Sequence, residues 1–412
     1  MAAPRIWYDP PPFSWGRVVR IGLIWLAVVV VLLVLMPSPP REERAAKPPA
    51  EELPLAYVPP ASRPLALATS AASGPPRTAV AAVTAVREIE ACGGRRLKVA
   101  ADKPVDASLL EQVDTRDVRL RSVTAMRYGG EAARAAAALL DTPGPAALEA
   151  VANAAATGHD ARAYGLAFRA CGGVRPPQQR GSCQLLSADQ WSRLDPDNAA
   201  PWLYVAALAQ QRGDEAGVSE AMQRVAKAKR VDDVAGVLPS LVLQHAPRDD
   251  ASLLPTVRLL GEVLEQQAAW SLPAYGTAHT FCSDSAVRDP ARRQTCGEIA
   301  DLLVQRSTTL IEHANGAAIG KRVGWTDEKI QALKTERDAI GEVTGRALAL
   351  EGDPFSCAWA RRGLAHHRSV AEQGEVETGR VAIRQSGRDA EQWAKAARER
   401  MEKAPQVRRG GG

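Results

Sequence analysis

The chain is poor in aromatic residues and carries none of the common catalytic motifs. Only 5% of its 412 residues are aromatic. It contains no G-x-S-x-G, no H-E-x-x-H and no Walker phosphate-binding sequence, and no G-x-G-x-x-G follows a strand pattern. These absences give no support to hydrolase, zinc-peptidase or nucleotide-binding chemistry. We therefore expect a protein that is not an enzyme and that needs no cofactor.

The charge pattern also lacks a strongly basic surface. Lysine and arginine number 52 and aspartate and glutamate 47, which gives a formal net charge of +5. Both signs are interleaved along the chain, and no basic stripe with aromatic residues is present, so we expect no nucleic-acid partner. The short basic stretch 405–412 has the composition of a frayed, disordered tail.

Metal-ligand patterns are weak, because the chain has only six histidines and no C-x-x-C. His366 and His367 are adjacent, and neighbouring residues on a helix point about 100° apart, so the two do not face one ion. His279 and Cys282 offer two ligand types, but no second spaced pair follows them. The sequence therefore predicts no metal site.

Two groups of carboxylates stand close together in the sequence. They are Glu88 with Glu90, and Glu372 with Glu375 and Glu377. Paired carboxylates can perform acid–base chemistry when a cleft holds them. No sequence feature indicates such a cleft, and we interpret both groups as solvated helix faces.

One long apolar run dominates the N-terminal part. Val18–Met36 carries a single charge, Arg20, and a helix of this length can cross a hydrocarbon core of roughly 30 Å. Its apolar core is longer than that of a cleavable signal peptide, and no equally apolar helix exists for it to pack against inside a domain. We therefore predict a transmembrane helix, preceded by a short cytoplasmic tail (1–17) and followed by a disordered Pro/Ala-rich spacer (37–80).

The cysteine count is even, and two pairs are close in sequence. Cys171 and Cys183 bracket a loop-like segment, and so do Cys282 and Cys296. The spacing favours these two disulfides, and elimination then pairs Cys92 with Cys357. Many other pairings are open from sequence alone, and buried free thiols are the alternative.

Disulfides persist outside the reducing cytosol. Lysine and arginine are balanced across the apolar run and do not fix its orientation. The cysteines therefore predict that the helical body lies in a periplasm-like or extracellular space. We expect a single-pass protein of a bacterial inner membrane with a cytoplasmic N-terminus.

Residues 81–404 favour an all-α domain, because alanine is abundant and helical patterns follow one another. We predict a helix over Val80–Ala91, a short strand or extended link over Leu97–Ala100 and one continuous helix over Ala291–Ala314. The small residues of Gly316–Gly320 are typical of a close contact between helices. The expected architecture is a transmembrane helix, a spacer and a stack of antiparallel helical hairpins.

The segment from 195 to about 230 resembles a tetratricopeptide repeat, a helical hairpin with conserved small and aromatic positions. The resemblance lies in the Asp-Pro-x-Asn sequence at 195–198, the Gly-Asp turn at 213–214 and several positions along the two helices. Those positions are Trp202, Ala206, Val218 and Met222. Ala209 departs from the usual aromatic residue, and Arg230 departs from the usual proline.

The resemblance covers one copy, although Gly158-His159-Asp160 between two predicted helices is similar to a degenerate second. Such repeats need neighbours to bury their faces, and their concave surfaces typically hold peptides. We therefore expect a protein that binds an envelope protein partner or assembles into a homo-oligomer. The alternative function is a membrane-tethered enzyme that acts on an envelope polymer such as cell-wall glycan.

Overall fold

The computed structural model describes residues 86–101, 105–141, 144–172, 181–270, 273–347 and 354–403. The predicted tail 1–17, the apolar run Val18–Met36, the spacer 37–80 and the basic stretch 405–412 lie outside these ranges. The described residues from Arg87 onward belong to one compact unit.

Within the described ranges, two short strands precede a succession of α-helices. The strands are β1 (Val86–Ala91) and β2 (Arg95–Ala100), and the helices are α1 (Arg116–Arg127), α2 (Glu131–Asp141), α3 (Pro145–Thr157), α4 (Ala161–Ala170), α5 (Ala188–Leu194), α6 (Ala199–Gln211), α7 (Glu215–Lys227), α8 (Val237–His245), α9 (Asp250–Ala268), α10 (Tyr275–Phe281), α11 (Pro290–Gln305), α12 (Leu310–Arg322), α13 (Asp327–Ala347), α14 (Cys357–Gln373), α15 (Glu375–Gln385) and α16 (Ala390–Lys403). Short 3-10 helices occur at Ala107–Gln112, Gly181–Leu185 and Ala286–Arg288.

The predicted architecture of a membrane-spanning helix joined to a helical stack needs correction. In the part of the chain that the structure describes, no helix combines the length and the apolar character needed to cross a membrane. The two longest helices, α9 and α13, carry several charged residues each. What the structure supports is the helical domain alone, and the run Val18–Met36 lies outside the described residues.

The predicted helix over Val80–Ala91 is wrong where the structure describes it. Val86–Ala91 is a strand that pairs with β2, and the two strands form a small hairpin. Gly93 and Gly94 make its turn with φ of +78° and +69°, a conformation that glycine adopts without strain. The predicted extended segment Leu97–Ala100 lies in β2, where Leu97 and Val99 are buried on one face.

The predicted continuous helix over Ala291–Ala314 is also wrong, because the chain breaks between α11 and α12. Thr309 caps α12: its hydroxyl accepts a hydrogen bond from the Glu312 N–H at 3.2 Å, and Glu312 accepts one from the Thr309 N–H at 3.1 Å. This reciprocal capping box satisfies two backbone donors that a helix start leaves unpaired. The Thr-x-x-Glu spacing is visible in the sequence and marks the start of a new helix.

Consecutive helices pack against each other as in helical-repeat proteins, most extensively α6 with α7 and α11 with α12. Gly316 allows the second of these contacts, since a Cβ atom there would lie 2.9 Å from the Cβ of Leu303. The small-residue run of Gly316–Gly320 therefore serves helix packing. The ordered domain is a helical-repeat-like assembly of such pairs.

The largest buried side chains join α4, α5 and α6. Phe168 lies with its ring centroid 5.6 Å from that of Trp191 and 5.2 Å from that of Tyr204. Gly165 permits this packing, because a Cβ there would come within 2.7 Å of the Trp191 ring. This aromatic cluster anchors the repeat-like pair α6–α7 to the preceding helices.

Three disulfide bonds link the described residues: Cys92–Cys357, Cys171–Cys183 and Cys282–Cys296. They confirm the two pairs that the spacing favours and the third pair that elimination gives. Two of them close short segments, whereas Cys92–Cys357 spans 265 residues and ties the β-hairpin to the start of α14. All six cysteines lie in described ranges, and none of them is free.

Candidate functional site

A cleft of about 540 Å³ lies between α4 and the helices that follow the repeat-like pair. This volume is in the range of ligand-binding sites. Its lining comes from α4, the segment before α8, the end of α9, the starts of α10 and α12, α13, and the turn between α14 and α15. The residues of this lining include Arg162, Arg169, Asp232, Asp233, Leu264, Tyr275, Thr308, Thr309, Ile311, His366, His367, Val370, Ala371, Glu372, Gln373 and Glu375.

A buried ion pair holds α4 against the segment before α8. The Arg169 guanidinium donates hydrogen bonds to the Asp233 carboxylate at 2.9 Å and to its backbone oxygen at 2.8 Å. The two side chains are only 3% and 7% exposed. Arg169 also lies over the ring of Trp270, 5.7 Å from its centroid. Each charge is thus compensated, which a buried ion requires.

The repeat-like sequence positions the neighbouring residue, Asp232. The Asn198 side-chain amide donates to the Asp232 carbonyl at 2.8 Å, and its oxygen accepts from the Asp232 N–H at 2.9 Å. Asp232 in turn accepts from the Val234 N–H at 2.8 Å. Burial raises the pKa of the Asp232 carboxyl above its usual range. The Asp-Pro-x-Asn motif therefore fixes part of the cleft lining.

On α12, the buried Glu312 organises the helix start that lines the cleft. Its carboxylate accepts hydrogen bonds from the Thr308 N–H at 2.6 Å, the Thr309 N–H at 3.1 Å and the Tyr275 hydroxyl at 3.2 Å. The side chain is completely inaccessible to solvent, and this burial raises its pKa to about 7. Glu312 supports the lining without contacting the cleft itself.

Glu375, at the turn between α14 and α15, also caps the start of α12. Its carboxylate accepts a hydrogen bond from the Leu310 N–H at 3.0 Å, and its own N–H donates to the Thr308 carbonyl at 2.6 Å. Burial raises the pKa of Glu375. The close approach needs Gly374, which has φ of +86° and a Cβ direction that points at Thr308 backbone atoms 2.8 Å away.

His366 and His367 line the cleft from α14. Burial lowers the pKa of both imidazoles, and that of His367 falls to about 4. Both rings are therefore neutral at pH 7. Their ring centroids are 5.9 Å apart. No third ligand joins them, since the described residues contain no group of three or more side chains able to hold a metal.

Two large apolar side chains remain exposed at the cleft. Leu264 on α9 is 42% exposed and Ile311 on α12 is 44% exposed. Most large apolar side chains among the described residues are buried, so these two offer apolar surface beside the polar groups of the cleft.

The other residues discussed from sequence have structural roles. His279 hydrogen-bonds Asn315 at 2.6 Å, while Cys282 is in a disulfide, so the two form no zinc site. Glu88 and Glu377 are paired with arginines on the surface. Both Glu372 and Glu375 line the cleft. Glu372 is exposed there, as the sequence predicted, whereas Glu375 is partly buried, because the turn between α14 and α15 folds back onto the start of α12.

No protein-family model matches this chain, and neither the curated proteins nor the solved structures contain a significant match to it.

Proposed function

We propose that this protein is a binding protein whose cleft receives a segment of another protein. The observation that carries the proposal is the combination of a 540 Å³ cleft with two exposed apolar side chains, Leu264 and Ile311, beside anchored polar groups. Apolar anchors surrounded by a few fixed polar groups are typical of recognition sites.

The carboxylates of the cleft favour binding over catalysis. Glu375 accepts a hydrogen bond from the Leu310 N–H at the start of α12, and Asp232 accepts one from the Val234 N–H in the segment before α8. Burial raises the pKa of the Glu312 carboxyl to about 7, but the side chain is inaccessible to a ligand. An acid–base catalyst must contact the proton that it transfers. These groups therefore have the geometry of local structural caps.

The repeat-like pair α6–α7 supports the same interpretation. Trp202 donates a hydrogen bond to the Pro196 carbonyl at 3.1 Å, Gly213 turns the chain with φ of +69°, and Asp214 caps α7. We infer that this pair is a tetratricopeptide-like unit in which Arg230 replaces the usual proline and pairs with Asp195 at 2.6 Å. Proteins built from such units commonly bind other proteins.

A peptide-display selection on the full-length protein tests this function. Random peptides are selected on the wild type and on a double variant, Leu264→Asn with Ile311→Asn. The matched control is Leu120→Asn with Leu185→Asn, because these leucines are 60% and 59% exposed and lie outside the cleft. We expect peptides that bind the wild type and the control but not the cleft variant. A selection that enriches no such peptide contradicts the proposal.

The second candidate function is hydrolysis of an envelope polymer. Its supporting observation is that Asp232 and Glu375, both with raised pKa, line one cleft. Incubation of cell-wall glycan with the wild type and with Glu375→Gln, followed by mass spectrometry, tests it. Soluble fragments released only by the wild type would favour the enzyme.

We also propose that the domain works in an oxidising compartment, on the support of its three disulfides. Thiol labelling of intact native cells with an impermeant maleimide, before and after reduction, tests the compartment. Labelling that requires reduction supports it, whereas free thiols found only after lysis contradict it.

A further inference from the structure

We propose that the cleft selects peptide segments in which a lysine or arginine stands beside apolar side chains. This inference rests on the proposed binding function and names the chemistry of its partner. It follows from three features of the cleft: its charge, the pairing of its carboxylates and the position of its apolar side chains.

The cleft is acidic although the chain as a whole is basic. Four carboxylates and two guanidinium groups line it, and the formal net charge of the chain is +5. The two lining histidines are neutral at pH 7 because burial lowers their pKa. Two negative charges of the lining are therefore in excess. A cationic ligand is attracted to such a site, and an anionic one is repelled.

The excess negative charge is located at the turn between α14 and α15. Asp233 is paired with Arg169, and Asp232 lies in the field of Arg162 and Arg230. By contrast, neither Glu372 nor Glu375 has an ion-pair partner within 4.0 Å among the described residues. Glu375 is compensated in part by the Leu310 N–H at the start of α12, whereas Glu372 is exposed and pairs with no cation among the described residues. A ligand cation would supply the missing positive charge beside Glu372.

The end of α14 adds to the negative potential at this position. The helix ends at Gln373, which also lines the cleft. The carbonyl groups of a helix C-terminus carry a partial negative charge, which favours a cation within the last turn. Glu372 and the C-terminal end of α14 therefore both make the electrostatic potential at this position more negative.

The apolar part of the cleft determines that the occupant is a peptide. Leu264 and Ile311 are each more than 40% exposed, and Val370 lines the cleft beside Ala371. An isolated cation would leave this apolar surface in water. A peptide with apolar residues next to its basic residue covers it and gains roughly 25 cal/mol for each Å² buried.

Matched peptides on the full-length protein test the inference. The probes are a display-selected arginine peptide, the same peptide with citrulline in place of arginine, and the same peptide with glutamate. Citrulline keeps the shape of arginine and removes its charge. We expect about tenfold weaker binding of the citrulline peptide and no measurable binding of the glutamate peptide.

The protein variants are Glu372→Gln, Glu375→Gln and the control Glu391→Gln, which lies on the exposed side of α16. In the double variant Glu372→Gln with Glu375→Gln, the preference for arginine over citrulline should fall below about twofold, and the control should keep the full preference. Glu372 caps no helix start, so Glu372→Gln alone keeps the test valid if Glu375→Gln fails to fold.

The outcomes separate this inference from the binding function. If display-selected peptides need Leu264 and Ile311 but bind equally well with citrulline, the cleft binds peptides and the charge inference is overturned. If no peptide distinguishes the wild type from the Leu264→Asn and Ile311→Asn variant, both fail. If arginine amide alone binds as tightly as the peptide, the occupant is a small cation and the inference is also wrong.

Discussion

Asn198 and Asp232 are joined by two hydrogen bonds, of 2.8 and 2.9 Å, across 34 residues of chain. The same amide also binds Asp195 at 3.0 Å and the Ala200 N–H at 3.1 Å. One buried side chain thus begins α6, closes the repeat-like pair and fixes the segment that lines the cleft.

Asn198→Ala should destabilise the protein by about 2–4 kcal/mol, because it removes a helix cap and leaves buried partners unsatisfied. Chemical denaturation followed by circular dichroism measures this. The control is Asn153→Ala on α3, an exposed asparagine whose loss should change the free energy of unfolding by less than about 0.5 kcal/mol. Equal effects of the two substitutions would contradict this role of Asn198.

The Arg169–Asp233 pair gives a second prediction. Arg169→Met or Asp233→Leu alone should cost about 3–5 kcal/mol, because each leaves one buried charge without its partner. The double variant should recover most of this loss. A double-mutant cycle by urea denaturation measures the coupling free energy. Additive losses in the double variant would show that the two charges are independent.

The raised pKa of Glu312 predicts that the stability of the protein depends on pH. Burial raises the pKa of Glu312 to about 7 in the folded protein, from an ordinary value of 4.5. The unfolded chain therefore releases this proton first as the pH rises. The resulting stabilisation is full below about pH 4.5 and is lost as the pH rises through 7.

The free energy of unfolding of the wild type, relative to Glu312→Gln, should therefore fall by about 3 kcal/mol between pH 4.5 and pH 7.5. The Glu312→Gln variant is the reference for the wild type, because glutamine does not titrate. Denaturation of both proteins at several pH values measures the difference. A difference that rises with pH would reverse the sign and contradict the raised pKa.

A side chain at position 374 should meet a steric clash in addition to an unfavourable backbone conformation. A Cβ atom there would lie 2.8 Å from Thr308 backbone atoms, whereas at Gly387, with φ of +69°, it would meet nothing within 4 Å. Both positions have a positive φ, but Gly374 also has ψ of 163°, a region that is essentially restricted to glycine and costs another residue about 1–3 kcal/mol. Gly374→Ala should therefore lower the melting temperature clearly more than Gly387→Ala.

The Cys92–Cys357 disulfide should contribute more stability than the Cys282–Cys296 disulfide, because the loop that it closes is far longer. The chain-entropy model gives about 5 kcal/mol for a loop longer than 100 residues and about 3 kcal/mol for one near 15 residues. Thermal unfolding of the two double Cys→Ala variants compares them. A larger loss at Cys282–Cys296 would show that the loop entropy does not dominate.

Local sequence signals predicted most of the described helices, since alanine-rich amphipathic segments and their Gly, Pro and Asp breaks are read without tertiary contacts. The α6–α7 pair is an example, because its capping residues and turn are adjacent in sequence. The break between α11 and α12, which the sequence prediction missed, also has a local signal, because Thr309 and Glu312 form a capping box.

The β-hairpin was missed for a different reason. Val86–Ala91 has too little alternation to distinguish a strand from a helix, and its partner strand begins only after the turn at Gly93 and Gly94. The close packing of Gly93 against Ala251 and the disulfide from Cys92 hold the hairpin against distant helices. Such contacts override weak local preferences.

By itself, the sequence determined the helical class of the domain, the residues of one repeat-like pair and the disulfide pairs favoured by short spacing, because each depends on residues close together in the chain. The cleft was decided only by the tertiary structure. Its lining joins Arg169, Asp232, Ile311 and Glu375, which are far apart in sequence. The burial of Asp232 and Glu375, and with it their raised pKa, exists only after the helices have packed.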